Sequence, residues 1–164
     1  MRVIGFDPGL RITGYGVVES NGRELSLVQA GVIRVKENKE LGARLWDLYQ
    51  GVSQVLEEGS AEQVAVEELY SHYRHPRTAI LMGHARGVIF LACAQRGVEV
   101  FSYSAKRIKQ ALTGNGSASK LQVQRSIQAW LGLSGLPRPS DVADALAVAL
   151  CHLSHQKDFR SKGN

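Results

Sequence analysis

Cysteine is scarce in this chain: there are two in 164 residues. Neither Cys93 nor Cys151 has a partner at metal-ligand spacing. This excludes a disulfide framework and a zinc ribbon, and it predicts buried thiols in a reducing compartment. Long apolar runs are missing too. The longest uninterrupted one, Val88 to Ala94, is far too short to cross a bilayer. Met1 leads directly into an expected strand, with no basic-then-apolar leader, so a cytoplasmic location is expected. The familiar nucleophile and nucleotide signatures are absent as well. "GNGSASK" lacks the glycine before Lys120 and the hydroxyl residue after it that a phosphate loop needs, and "GYGVV" is no GxGxxG loop. No G-x-S-x-G elbow and no Cys/His nucleophile pattern appears.

Acidic residues are nearly absent from one long stretch. Between Leu69 and Ser140 stand ten bases (Arg74, Arg77, Arg86, Arg96, Lys106, Arg107, Lys109, Lys120, Arg125, Arg138) against one acid, Glu99. That segment carries +9 and the remainder −4, within a net charge of +5. A solvated basic surface would look the same, but such segregation is also what a polyanion-binding face requires.

What is present reads as one domain of ordinary globular composition, 44% hydrophobic and 21% charged. Val3–Phe6, 13–18 and 25–35 are expected strands, the last two joined by the turn signal Ser20-Asn21-Gly22. Leu41, Leu45, Leu48, Val52 and Val55 recur at helical spacing and predict a helix ending near Gly59. A strand at "QVAVEELY", a helix from Pro76 to about Gln95, a strand at "VEVFSY" and a short helix over 106–112 follow. A Gly-rich loop over 113–119 leads to helices over 120–131 and about 141–155. The order predicts an α/β fold with a five-stranded mixed sheet, three antiparallel strands then two parallel ones, covered by helices. Residues 1–155 form the expected domain and 156–164 a polar, frayed tail. The helix "AILMGHARGVIFLACA" is apolar nearly all round, interrupted only by His84 and Arg86. Such a helix is expected to be buried on more than one side, as a central helix or against a second subunit.

Carboxylates in unusual places carry the chemistry. Asp141 and Asp144 lie i and i+3 on one face of the last helix, a face continued by Ala145, Val148 and Cys151. N-terminal capping explains Asp141 well and Asp144 less well. Unpaired buried carboxylates are costly, and a metal ion is the natural counter-charge. Asp7 ends one apolar strand, and Glu67 or Glu68 ends another, where α/β proteins place their sites. A solvated strand end accounts for each taken singly. Together the acids form a hard oxygen set that suits Mg²⁺ or Mn²⁺ better than Zn²⁺. Two such ions held by carboxylates support phosphodiester hydrolysis, so an acidic site beside a basic segment reads as a nuclease. A phosphate-loop ATPase of the actin or Hsp70 type would need two such domains.

"DPG-x-R-x-TG-x-G", "VAVEELY", "GHARG", "IKQALTGNGSASKLQV" and "SDVADALAVALCH" resemble, in order and spacing over nearly the whole chain, the bacterial RuvC Holliday-junction resolvases. The resemblance implies an RNase H-like fold, a homodimer, and Mg²⁺-dependent nicking of two opposed strands of a four-way junction. It implies that Asp7, Glu67, Asp141 and Asp144 are the catalytic metal ligands, favouring Glu67 over Glu68, with RuvA and RuvB as partners. It places Tyr70 as an aromatic that stacks on a junction base, and Lys109 and Lys120 near the scissile phosphate. Arg74, Arg77 and Lys106 join them as expected DNA contacts. The chain departs from the family pattern at His84, where glutamine is usual, and at His72, His75 and Pro76. The family's cleavage-sequence preference is therefore not carried over.

Overall fold

The computed structural model describes residues 1–69 and 75–156. The expected contacts Tyr70 and Arg74, with His72, lie outside the described residues. Strands β1 (Arg2–Asp7), β2 (Ile12–Ser20) and β3 (Leu25–Arg34) form an antiparallel meander. Helix α1 (Leu41–Gly59) crosses to β4 (Gln63–Glu67), and α2 (Pro76–Gln95) crosses to β5 (Glu99–Tyr103). Both β4 and β5 run parallel to β1, so the sheet order is β3-β2-β1-β4-β5. Helices α3 (Ala105–Thr113), α4 (Lys120–Leu131) and α5 (Ser140–His155) follow.

Strand alternation divides the core in two. Ile4, Phe6, Val64 and Val66 point to the face covered by α1 and α2. Val3 and Ala65 point to the opposite face, against α5, α3 and α4. Helix α5 lies unusually close to the sheet because glycines leave room for it. A Cβ on Gly5 would stand 2.0 Å from the Ala145 carbonyl oxygen, and one on Gly14 would stand 2.0 Å from that of Asp141. Gly16 likewise receives Leu146. Helix α5 thus runs antiparallel to β1 across its width, with most of its residues buried.

Several local signals have plain causes in this framework. Ser119 accepts from the Gln122 amide while the Gln122 side chain accepts from that of Ser119, a capping box that starts α4. Gly114 ends α3 at φ +76, a conformation that favours glycine. Both cysteines are buried and free, and burial raises their thiols to about 11 for Cys93 and about 12 for Cys151. Helix α2 corrects one expectation. It buries Ala85, Ile89, Ala92 and Cys93, but Ile80 (62% exposed) and Leu91 (56%) face outward with Gly83 and Gly87. Within this chain it is therefore not a central helix. By length and composition alone it could span a bilayer, but its inner face packs on the core.

Candidate active site

The sheet's parity places the acids. Asp7 shares the face of Val3 and Gly5, and Glu67 shares that of Ala65, so both side chains stand on the α5 side. Glu68 has the opposite parity and is exposed. Because Phe6 pairs in parallel with Val66, Asp7 and Glu67 end adjacent strands side by side. Asp7 also pairs across to Gly14, the residue on which the first turn of α5 rests. The close approach permitted by Gly14 brings Asp141 and, one turn later, Asp144 to the same strand ends. Asp141 does not cap the helix. The N-cap position is Pro139, which has no side chain to bond, so Asp141 contributes only its charge to the first turn.

Electrostatics register the convergence. The Asp7 carboxyl is raised to about 7, first by burial and then by the charges of Asp144, Glu67 and Asp141, with Lys120 opposing. Glu67 is raised as well, by burial and Asp144, against Lys120 and Lys109. Lys120 Nζ stands 3.3 Å from Asp144 Oδ2, an ion pair whose lysine is 74% exposed and adds little to stability. Among the described residues, no three His, Cys, Asp or Glu side chains already converge on a point where an ion would sit. The chain holds four mutually repelling carboxylates at one strand end, short of positive charge. Their donors are all hard oxygens, so the set fits a divalent cation of the Mg²⁺ kind.

Glu67, Lys109, Lys120 and Asp144 line a cleft of about 260 Å³ floored by Ile108, Val123 and Ala147. Ser104 accepts from the Arg107 amide and starts α3, which carries Lys109 to this cleft, and the capping box of α4 delivers Lys120. Lys106 is exposed beside Gly116, at the edge of the Gly-rich loop. Arg77 is exposed on the first turn of α2. Some bases of the positive segment are engaged within the chain, among them Arg86, partly buried, and Arg107, exposed. Arg86 donates to Ser102 Oγ at 2.6 Å and lies over the Phe90 ring, and Arg107 lies over the Tyr103 ring and bonds His155.

The family model for "Crossover junction endodeoxyribonuclease RuvC" matches residues 3–152. This chain belongs to the RuvC family. It is 48% identical over 149 residues to the crossover junction endodeoxyribonuclease RuvC of Rhodopirellula baltica, covering 91% of this chain and 84% of that one. The RuvC of Hahella chejuensis is 43% identical over all of this chain and 94% of its own. Among solved structures, Thermus thermophilus RuvC in complex with a Holliday junction substrate superposes with a TM-score of 0.88, at 38% identity and 93% coverage of each chain. A yeast mitochondrial resolvase, Ydc2, shares the fold at 13% identity and a TM-score of 0.71, covering 96% of this chain and 79% of that one. The RNase H-like, five-stranded mixed-sheet architecture is therefore that of the RuvC resolvases.

Sequence reasoning missed two features of the site and one at the far end of α5. The glycines that admit α5 carried a signal, since Gly14 and Gly16 recur at strand spacing. The turn that holds Arg11 carried one in the hydroxyl of Thr13. The buried polar cluster around His152 carried none, because its partners lie far apart in the chain.

Proposed function

We propose that this chain is a Holliday-junction resolvase, an endonuclease that nicks two opposed strands of a four-way DNA junction in recombination and repair. The convergence of Asp7, Glu67, Asp141 and Asp144 at one strand end, bordered by Lys109 and Lys120, carries this reading. Water attacks phosphorus and the bond to O3′ breaks, leaving a 5′-phosphate and a 3′-hydroxyl. The four carboxylates would hold two Mg²⁺ ions, with Mn²⁺ as a substitute, and these supply charge stabilisation and a more acidic water. Asp7 and Glu67 orient from the rigid strand ends. Asp141 and Asp144 approach from the helix that Gly14 lets in. Lys109 and Lys120 present ammonium donors to the phosphate oxygens from the outer wall of the cleft.

The exposed stripe of Ile80, Gly83, Gly87 and Leu91 on α2 suits a second copy of the chain, and a homodimer would place two sites to cut two strands. Arg74, Arg77 and Lys106 supply phosphate contacts, and Tyr70 stacks on a base at the junction centre. RuvA and RuvB are the expected partners, in the cytoplasm. A synthetic junction and a linear duplex, each incubated with Mg²⁺ and with chelator, test the reading. Symmetric nicks confined to the junction and lost in chelator are expected. Equal cutting of both substrates would overturn it.

A further inference from the structure

A second cleft, of about 400 Å³, opens on the other side of the carboxylates. Its lining includes Gly9, Arg11, Glu37, Arg44, Thr78 and Asp141. The first cleft holds Glu67, Asp144 and the two lysines, while the second reaches the acids through Asp141. The acidic cluster therefore has cations on both flanks: ammonium groups on one, guanidinium groups on the other.

The two arginines are poised differently from an ordinary surface pair. Arg11 sits on a fixed turn. Thr13 Oγ1 accepts from the Gly9 amide at 3.2 Å and donates to the Gly9 carbonyl at 2.6 Å. The Arg11 carbonyl accepts from the Val35 amide at 3.0 Å, and Arg44 donates from one terminal nitrogen to the Leu10 carbonyl at 3.2 Å. Arg44 Nε is buried without a hydrogen bond, and among the described residues no carboxylate pairs with this guanidinium. Arg11 pairs with Glu37 at 2.7 Å, but the two side chains are 75% and 57% exposed. An ion pair that open to water is weak and readily exchanged. A guanidinium recognises phosphate through two parallel hydrogen bonds, which a strand passing this cleft would offer.

We propose that the Arg11–Arg44 cleft is a phosphate-binding subsite for the cleaved strand, on the side of the scissile bond opposite Lys109 and Lys120. A strand with one phosphodiester at the carboxylates must carry its neighbouring phosphates out both ways, and this cleft receives the second direction. Glu37 is the competitor: it holds Arg11 in the free protein and yields it to phosphate. The subsite rests on the reading of the chain as a DNA nuclease.

Neutral-phosphate interference tests it. Junctions and linear duplexes carry a single methylphosphonate at each position flanking the cut in turn, and binding is measured in chelator so that no cleavage intervenes. Wild type should lose affinity for substitutions on both flanks. Arg11→Ala should become insensitive at one position on one flank, keep its sensitivity on the flank contacted by Lys120, and lose about one from the salt slope. Arg44→Gln should show the same insensitivity, and exposed Arg11 serves where Arg44 variants fold poorly. Glu37→Gln should tighten binding by about two- to fivefold, the range of an exposed ion pair released. An Arg11→Ala protein with wild-type sensitivity at every position and an unchanged salt slope would overturn the subsite, even if junction cleavage by wild type is normal. Cutting of linear duplex as fast as junction, with the Arg11-specific position still lost, would overturn junction selectivity and uphold the subsite.

Discussion

The two ends of helix α5 carry polar groups into the same sheet face and treat them in opposite ways. At the C-terminal end His152 is fully buried, and it is satisfied. Its Nδ1 meets the Tyr103 hydroxyl at 2.7 Å and its Nε2 meets Gln63 Oε1 at 2.7 Å, with Gln156 Nε2 3.0 Å away. Burial lowers its pKa to about 4, so the ring stays neutral and serves as a structural joint between α5, β4 and β5. At the N-terminal end, four carboxylates stand close together with Lys120 and Lys109 as opposing charges, and Asp7 is still raised to about 7. One end uses buried polarity to fix the fold. The other gathers partly buried like charge that its lysines offset only in part, a cost in stability of the kind found at functional sites.

The comparison can be broken most sharply at Asp7. Asp7→Asn should reduce junction nicking by about 10³-fold or more, the loss typical of a group essential to chemistry. The same change removes a disfavoured charge, so the chelated protein at pH 8 should melt at a higher temperature than wild type. A drop in both activity and melting temperature would mean that Asp7 is a structural residue like His152.

His152→Ala should do the reverse. Leaving the Tyr103 hydroxyl and Gln63 without their partner, in a cavity, should cost about 3 kcal/mol in urea denaturation. Nicking at saturating junction, measured well below the melting temperature, should stay near the wild-type rate. Between the two ends lies the glycine seat. Gly14→Ala puts a methyl group 2.0 Å from the Asp141 carbonyl and must push the helix off the sheet. A shift of about 1 Å in the acids should slow nicking by about 10²-fold. Retention of the wild-type rate would show that the close approach is dispensable.

The smallest effects are slopes in pH, and they have opposite signs. The folded pKa of Asp7 lies above the ordinary 3.8, so the folded state binds the proton more tightly and chelated protein loses stability as pH rises from about 4 to about 7. The folded pKa of His152 lies below the ordinary 6.5, so the unfolded state binds the proton more tightly and stability is gained between about 4 and 6.5. Melting temperature against pH should therefore climb more steeply in Asp7→Asn than in wild type. In His152→Ala it should climb less or fall.

Much of this was legible in the sequence because its causes are local. Apolar periodicity and Gly or Pro punctuation put α2 at Pro76–Gln95 and α4 at Lys120–Leu131, as the structure has them. The acids stood out because charge is rare in "VIGFD", "VAVE" and "DVADALAVAL". The face on which Asp7 lies was not legible, since parity in one strand means nothing until another element fixes the side. Gly14 and Gly16 stand out in the sequence as part of a family motif and as a failed nucleotide loop, and neither reading shows that they are where α5 touches the sheet. The apolar pattern of α2 reads as buried on more than one side, yet Ile80 and Leu91 stand exposed on its outer face, because apolar composition alone does not say which side meets the core. Nothing in the sequence around His152 announces its role, and only the fold brings Tyr103 and Gln63 to it.

The central claim is that the acidic end of α5 is held short of positive charge for a divalent cation to supply. Its most direct test is the melting temperature of wild type and Asp7→Asn at pH 8, in chelator and in millimolar Mg²⁺. Mg²⁺ should raise the melting temperature of wild type markedly and that of Asp7→Asn little, closing the gap expected in chelator. Equal shifts in the two proteins, or none in wild type, would contradict the account.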